Sequence, residues 1–392
     1  MPNGDNRSPL PLQAVQVPRL FDGEKWRHDY CVIMQGECVV EVLPASSRPS
    51  TLPCTVLAEG TLAPGLIDLQ VNGGGGVLFN NAPSAATILQ IAQAHRHRGT
   101  TSLLPTVMSD TPQTMRAAVD AVREVRAAEH GEIAGIHIEG PFFNPLKRGA
   151  HHADAIRAPE QDDIDWLCGL TDIPVLLTLA PEMLSAAQLQ QLKAAGILIS
   201  AGHTDASYAQ MAAAAANGLS GVTHLFNAMR PGSAREPGAV GAALDISTLW
   251  ASVIADGHHV HAANLRLAQA SKAPGGLLLV SDAMATSDSS DKQFTLYGEP
   301  LQEVDGRIVN GDGVLAGSAI TLLDAVHFAS EHAGIALAEC LRMASLYPAI
   351  VLQTDHVMGR IAAGYRADLV HFDDDFNVLG TWVAGEPQSH QA

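Results

Sequence analysis

The sequence predicts an α/β chain: a parallel (β/α)8 barrel of the TIM type, with the N- and C-terminal flanks forming a small β-sandwich beside it. Three observations predict this. Short apolar runs alternate with helical stretches from about residue 62 to 355. Buried runs of that length, separated by helices, read as parallel strands. Eight such runs can be placed, ending near Gln70, Pro105, Glu139, Pro181, His203, Asn227, Asp256 and Asp282, and eight closes a barrel. Four of them, Ile133–Glu139, Gly196–His203, Leu219–His224 and Gly276–Asp282, stop on a residue that can carry chemistry.

The elements follow in order. Residues 1 to about 60 hold strand-like pieces, Trp26 to Met34, Glu37 to Leu43 and Thr55 to Glu59, separated by turn residues. Met1 to Val17 carries no assignable role. Ser84 can cap a helix running to Arg98. Further helices are expected over Thr111–His130, Ser185–Ala195 and Ala206–Asn217. After the eighth strand, Gln293–Val314 reads as a β-hairpin excursion with turns at Tyr297-Gly298 and Asp305-Gly306. Helices return over Ala319–Ala333 and Leu337–Tyr347. The tail, Ala367 to Val378 and Thr381 to Glu386, is again strand-like. The expected division is a catalytic barrel over 62–357 and a discontinuous small β domain from 1–61 and 358–392.

The chain has 392 residues, enough for a barrel of about 250 residues and a second unit. A formal charge of -18 argues against nucleic acid or an anionic membrane as the main partner, since both need a basic face. The five cysteines are odd in number and form no CxxC, so neither a disulfide framework nor a cysteine-based zinc site is indicated. Free thiols in a reducing cytoplasm are the expectation. The N-terminus lacks an apolar signal core. No run of about 18 apolar residues occurs, so no spanning helix is expected.

Glu139 lies in His137-Ile-Glu-Gly-Pro141. Residues 137 and 139 of a strand share a face, and Gly140-Pro141 ends the strand. Alone, Glu139 could equally be a buried salt-bridge partner. A lone His203 or His224 is more often a satisfied core residue. Together, on consecutive strands with Glu139 upstream, the three form a credible set for one divalent metal. Zinc is favoured, with iron, cobalt, manganese and nickel also fitting imidazole and carboxylate. Asp282 ends an apolar strand with no packing reason to be there, and a helix-capping role is the plain alternative. As chemistry, it would shuttle a proton. Arg230, Arg235, His258, His259 and His261 cluster after the sixth and seventh strands, where a guanidinium suits a phosphate.

These motifs resemble the N-acetylglucosamine-6-phosphate deacetylase family of the amidohydrolase superfamily over nearly the whole chain. The segments that carry the resemblance include Pro64–Gly73, Gly99–Thr106, His137–Phe142, Lys147–His151, Ala201–Thr204, Thr223–Met229, Arg235–Gly238, Ala255–His259, Leu279–Met284 and Leu315–Ser318. The resemblance implies an amidohydrolase-type barrel with Glu139, His203 and His224 on the metal and Asp282 as general base, then acid. It implies His151 polarising the substrate carbonyl. Asn227 and Ala228 would bind the phosphate side, with Arg235 and His259 on the 6-phosphate. It also implies a homodimer in which one cation crosses the interface. The substrate is then a phosphorylated amino sugar.

Gln70 and Asn72 stand where many amidohydrolases carry His-x-His for a second metal. Amides are weak ligands for such an ion, so one metal is expected, with Gln70 and Asn72 near a vacant second site. His95-Arg-His97 looks similar but falls on a helix, where residues two apart do not face each other; a solvated face is expected. Gly73–Gly76 has the wrong spacing for a dinucleotide fingerprint and would let the backbone turn beside the site. Competing readings are a deacetylase acting on N-acetylgalactosamine 6-phosphate, a cyclic-amide hydrolase or deaminase of the same superfamily, and a non-enzymatic metal-binding scaffold.

Overall fold

The computed structural model describes residues 11–128, 130–311, 313 and 315–389. The first ten residues of the expected small β domain, Glu129 of the expected helix Thr111–His130, Asp312 and Val314 of the expected hairpin excursion and residues 390–392 lie outside them. Eight strands form one parallel sheet in chain order: Leu66–Val71, Thr100–Met108, Ile136–Glu139, Val175–Leu179, Leu198–Ala201, Leu219–Val222, Trp250–Ile254 and Leu277–Val280. All eight coincide with the expected runs. The sheet closes on itself: Asp282 N–H donates to the Gln70 carbonyl at 3.0 Å, and Val71 bridges Ala283 in parallel.

Each crossover holds a helix. Ser84, Thr111, Ser185 and Ser207 accept the N–H three residues on and cap four of these helices, Ala85–His97, Pro112–Ala127, Ala186–Ala194 and Tyr208–Asn217. Three more, Gln161–Cys168, Gly238–Asp245 and Ala262–Ser271, were not among the expected helices. The excursion after the eighth strand is a four-stranded meander, Gln293–Leu296, Glu299–Val304, Arg307–Val309 and Leu315–Ser318. Tyr297-Gly298 and Asp305-Gly306 turn it with positive φ at both residues, as tight hairpins require. Its apolar side packs on Leu78, Met108 and Met284, which holds it beside the barrel mouth. Leu322–Glu331 then completes the eighth βα unit.

The flanks meet in a second eight-stranded sheet. Leu12–Phe21 lies near its middle, paired with Trp26–Gln35, Cys54–Val56 and Thr61–Pro64. Residues 12–17, to which no role could be assigned, are therefore part of a central strand. The C-terminal strands Leu369–Phe372, Val378–Val383 and Glu386–Ser389 continue the same sheet from Thr61–Pro64. Val15, Val17, Val32, Met34, Leu62, Leu369 and Trp382 share one apolar cluster, so the sheet curls around its own core.

Inside the barrel the inward positions just below the mouth are polar. His137, one turn of the pleat below Glu139, is fully buried. Its Nε2 lies 2.7 Å from the Thr178 hydroxyl and its Nδ1 3.2 Å from Thr106. Thr223 then joins Thr178 and Ser200, each at 2.7 Å. Burial holds His137 down to about 4, so it is neutral at physiological pH. Five strands are thus tied by one hydroxyl–imidazole network, which satisfies groups that would otherwise be costly to bury.

Asp68 sits lower on the first strand, wholly buried, accepting N–H bonds from Gln70 and Ser281. Burial pushes its carboxyl up to about 6. A carboxyl raised on folding takes up a proton between its unfolded value near 4 and 6. Its contribution to stability is therefore lost as pH rises through that window. Asp68→Asn should gain on the wild type between pH 4 and pH 7, by roughly 2–3 kcal/mol. Urea unfolding of both proteins across that range checks this; a pH-independent difference would show that Asp68 stays ionised.

Candidate metal centre and substrate cavity

Glu139 is 2% exposed at the end of the third barrel strand, where Gly140, with φ of 88°, and Pro141 turn the chain away. His203 and His224 follow the fifth and sixth strands, and Asp282 the eighth. All three adopt left-handed backbone, with φ of 49°, 35° and 52°. That conformation is uncommon for non-glycine residues. Here it bends each chain just past the strand end.

The side chains converge. His224 Nε2 lies 3.2 Å and His203 Nε2 3.4 Å from Glu139 Oε1, and the two Nε2 atoms are 3.1 Å apart. Ligands bonded to one ion at about 2.0–2.1 Å in a tetrahedron stand about 3.3 Å from each other, so the spacing fits a common cation. His203 Nδ1 lies 2.9 Å from the Lys147 carbonyl. A carbonyl only accepts, so Nδ1 carries a hydrogen, and Nε2 is the atom left to present a lone pair to a bound cation. His224 Nδ1 is buried with no partner among the described residues.

His151 also reaches Glu139, its Nε2 3.8 Å from Oε2, and a set of Glu139, His151 and His203 is close enough for one ion. Hydrogen placement separates His151 from the others. Its Nδ1 accepts the Ser109 backbone N–H at 3.2 Å. Burial, then the nearby His203, holds it down to about 3, so it is neutral. The remaining hydrogen must sit on Nε2, which makes that atom a donor rather than a metal ligand. His203 and His151 are thus set in opposite tautomers by two backbone groups.

The carboxylates are driven apart. Burial alone would raise Glu139, but the contacts from His203 and His224 more than reverse it and hold it well below the usual range. Asp282 moves the other way, raised first by burial and then by the charge on Glu139. The first strand supports both acids. Gln70 Nε2 donates to Glu139 Oε1 at 3.0 Å, and Asn72 Nδ2 to Asp282 Oδ1 at 2.7 Å. The two amides are therefore bonded to the site's carboxylates, and their oxygens have no partner among the described residues.

These groups line a cavity of about 310 Å³, within the range of small-molecule sites. Asn227, Ala228 and His259 are on its wall. His259 Nδ1 is 2.6 Å from Asp256 Oδ2. Burial opposes its charge, but Asp256 outweighs burial and raises its pKa. Arg235 is not brought in: it is exposed on the loop before Gly238–Asp245 and is absent from the wall of its own chain's cavity. Arg230 is paired with Asp205.

The sequence reading missed Ser109, Met108, Met284 and Lys147 as site residues. It also gave no role to the recognised segment Leu315-Ala-Gly317, which forms part of the wall. One expectation is corrected. His95 is not on a solvated face: it is 1% exposed and its Nε2 donates to the Gly73 carbonyl at 2.9 Å. The helix packs that edge against the Gly73–Gly76 loop, whereas His97 pairs with Asp288 outside. The loop itself turns tightly beside the site, as expected. A Cβ at Gly73 would stand 2.4 Å from the Val77 carbonyl.

Residues 61–387 match the Amidohydrolase family model. An N-acetylgalactosamine-6-phosphate deacetylase of Shewanella sp. (strain ANA-3) is 40% identical, the match covering 84% of each chain. An N-acetylglucosamine-6-phosphate deacetylase of Haemophilus influenzae is 34% identical over 91% of this chain and 94% of that one. The crystal structure of N-acetylglucosamine-6-phosphate deacetylase from Pasteurella multocida superposes with a TM-score of 0.94 at 35% identity, covering 97% and 100% of the two chains. With a closed barrel, a buried Glu–His–His set that suits a divalent metal, and matches that span nearly its whole length, the chain belongs to the amidohydrolase family.

Proposed function

We propose that the chain hydrolyses N-acetyl-D-glucosamine 6-phosphate to D-glucosamine 6-phosphate and acetate. The observation that carries this is the sorting of groups in one cavity: a His203 Nε2 turned inward by the bond its Nδ1 makes, an inward N–H on His151, and two carboxylates of opposite tendency. Amide hydrolysis needs these functions. Glu139, His203 and His224 hold one divalent cation, zinc by preference. When bound, it supplies Lewis acidity and makes water nucleophilic near neutral pH.

Asp282 takes the proton of the attacking water as the new C–O bond forms. His151 Nε2–H donates to the oxygen on which negative charge develops. Asp282 then returns the proton to the nitrogen as the C–N bond breaks. Asn72 fixes one Asp282 oxygen and leaves the other to shuttle. Gln70 and Asn72 border the place of a second metal without replacing its ligands. Asn227, Ala228 and His259 receive the phosphate side. The exposed Arg235 reaches the phosphate of a second copy's substrate, which makes the active form a homodimer. The five free cysteines fit a reducing compartment, and we place the enzyme in the cytoplasm. Among the described residues no helix is long and apolar enough to cross a membrane. We divide the chain into a catalytic barrel over 62–357 and a small β unit from 1–61 with 358–392; the strand Thr61–Pro64 crosses that boundary and pairs within the flank sheet, whose own apolar cluster supports a separate unit.

The galactosamine epimer is a second reading, favoured by the Shewanella relative's 40% identity. Acetate release by metal-loaded protein from both 6-phosphates and from unphosphorylated N-acetylglucosamine tests all of this. The expected order places N-acetylglucosamine 6-phosphate first in kcat/KM, with the free sugar lower by at least about 100-fold. A faster galactosamine epimer would reverse the substrate assignment. Indifference to the phosphate would direct attention to cyclic amides.

A further inference from the structure

The cavity poses an electrostatic problem. Its wall carries Glu139 and Asp282 in a chain of net charge -18, yet the proposed substrate is a phosphate ester. His259 offers positive charge, but Asp256 neutralises it at 2.6 Å. Among the described residues the wall holds one lysine or arginine, Lys147. Its ammonium is 3.6 Å from Asp205 Oδ1, a loose contact, while Arg230 takes Oδ2 of the same carboxylate. Two cations therefore share one anion. A further carboxylate beside them, Glu182, is occupied by neutral donors: the Thr204 hydroxyl, the Asp205 N–H and the Asn144 amide.

The position is also suitable. Thr204, next to Asp205, exchanges backbone bonds with Ala228 and Arg230, so Lys147 stands on the Asn227–Ala228 side of the cavity. The loop that carries it is anchored. Asn144 N–H donates to the His203 carbonyl at 3.0 Å, and the Lys147 carbonyl accepts from His203 Nδ1 at 2.9 Å. A fixed backbone with a flexible charged arm suits a point-charge contact to phosphate.

We propose that Lys147 is a phosphate-binding residue: its ammonium leaves Asp205 for the 6-phosphate of the substrate in its own chain. This rests on the phosphorylated-sugar reading given above. Because the Lys147 carbonyl holds the tautomer of His203, the segment that receives the phosphate also sets a metal-facing nitrogen. Side-chain replacement leaves that carbonyl in place.

The test is steady-state kinetics of Lys147→Gln and Lys147→Arg beside the wild type, with bound metal measured per chain. In Lys147→Gln, KM for N-acetylglucosamine 6-phosphate should rise about 10- to 100-fold. Its kcat/KM on unphosphorylated N-acetylglucosamine should stay within about 2-fold, as should the metal content. Lys147→Arg should recover much of the loss, since it keeps the charge. Equal losses on both sugars, or lost metal, would mean that Lys147 only supports the loop, and would overturn the proposal. So would a Lys147→Gln enzyme that still prefers the phosphorylated sugar as strongly as the wild type. A wild type indifferent to the phosphate would sink the substrate reading itself, and this inference with it.

Discussion

Asp282→Asn is expected to lower kcat by about 10³- to 10⁴-fold while leaving the metal content per chain unchanged. General acid–base catalysis contributes about 10²- to 10⁴-fold, and Asp282 acts in both halves of the reaction, so the upper part of that range applies. Asparagine keeps the size of the side chain and an oxygen for Asn72 Nδ2 to reach. It cannot accept and return a proton. The metal should stay, because Glu139, His203 and His224 converge without Asp282. Acetate release and elemental analysis on the same preparation check both halves. Turnover within about 10-fold of the wild type would remove Asp282 from the mechanism.

The metal-free variant should also be more stable than metal-free wild type above neutral pH. Burial and the charge of Glu139 raise the Asp282 carboxyl on folding. A raised carboxyl contributes least once it is forced to ionise, and asparagine escapes that penalty.

Glu139→Gln should have an effect as large by another route: metal content falls well below one per chain, and activity falls about 10³-fold or more with it. Glu139 is the only anion in the convergent set, and it is held ionised against its own burial by the two histidines. With a neutral amide there, the imidazoles lose the partner that balances a divalent charge. Chelation of the wild type should reproduce the loss, and adding zinc, cobalt or manganese should restore it to different extents. In the variant, none should do so at stoichiometric concentration. Full metal occupancy in Glu139→Gln would mean that His151 replaces it, and the tautomer assigned from Ser109 would be wrong.

The barrel was legible because eight short apolar runs alternate with helical stretches, and several of those runs stop on a polar residue, as at Glu139 and Asp282. The central strand Leu12–Phe21 was not, because Pro18 interrupts it. Its ladder to the next strand skips from Val17 to Arg19, as a residue without an N–H must. The helix Ala262–Ser271 is capped by the His261 ring rather than by serine, threonine or aspartate, and Gly238–Asp245 has no side-chain cap at all. Neither gives the usual starting signal.

Within the site, residue types could be read but hydrogens could not. His151 and His203 are both histidines at the barrel mouth. Their different behaviour depends on the Ser109 N–H and the Lys147 carbonyl, which any residue at those positions would supply. Lys147 was hidden for a related reason: one lysine in a loop has no pattern, and its place on the wall follows from how residues 144–147 are tied to His203.

The left-handed turns at His203, His224 and Asp282 have a consequence for how this protein would respond to selection. An L-residue in that region is disfavoured by roughly 1–2 kcal/mol, and glycine is not. Screening a library only for melting temperature should therefore enrich glycine or asparagine at these three positions. The most heat-resistant survivors would be the ones emptied of chemistry, and a map of gains in thermal tolerance would outline the reactive centre from its losses.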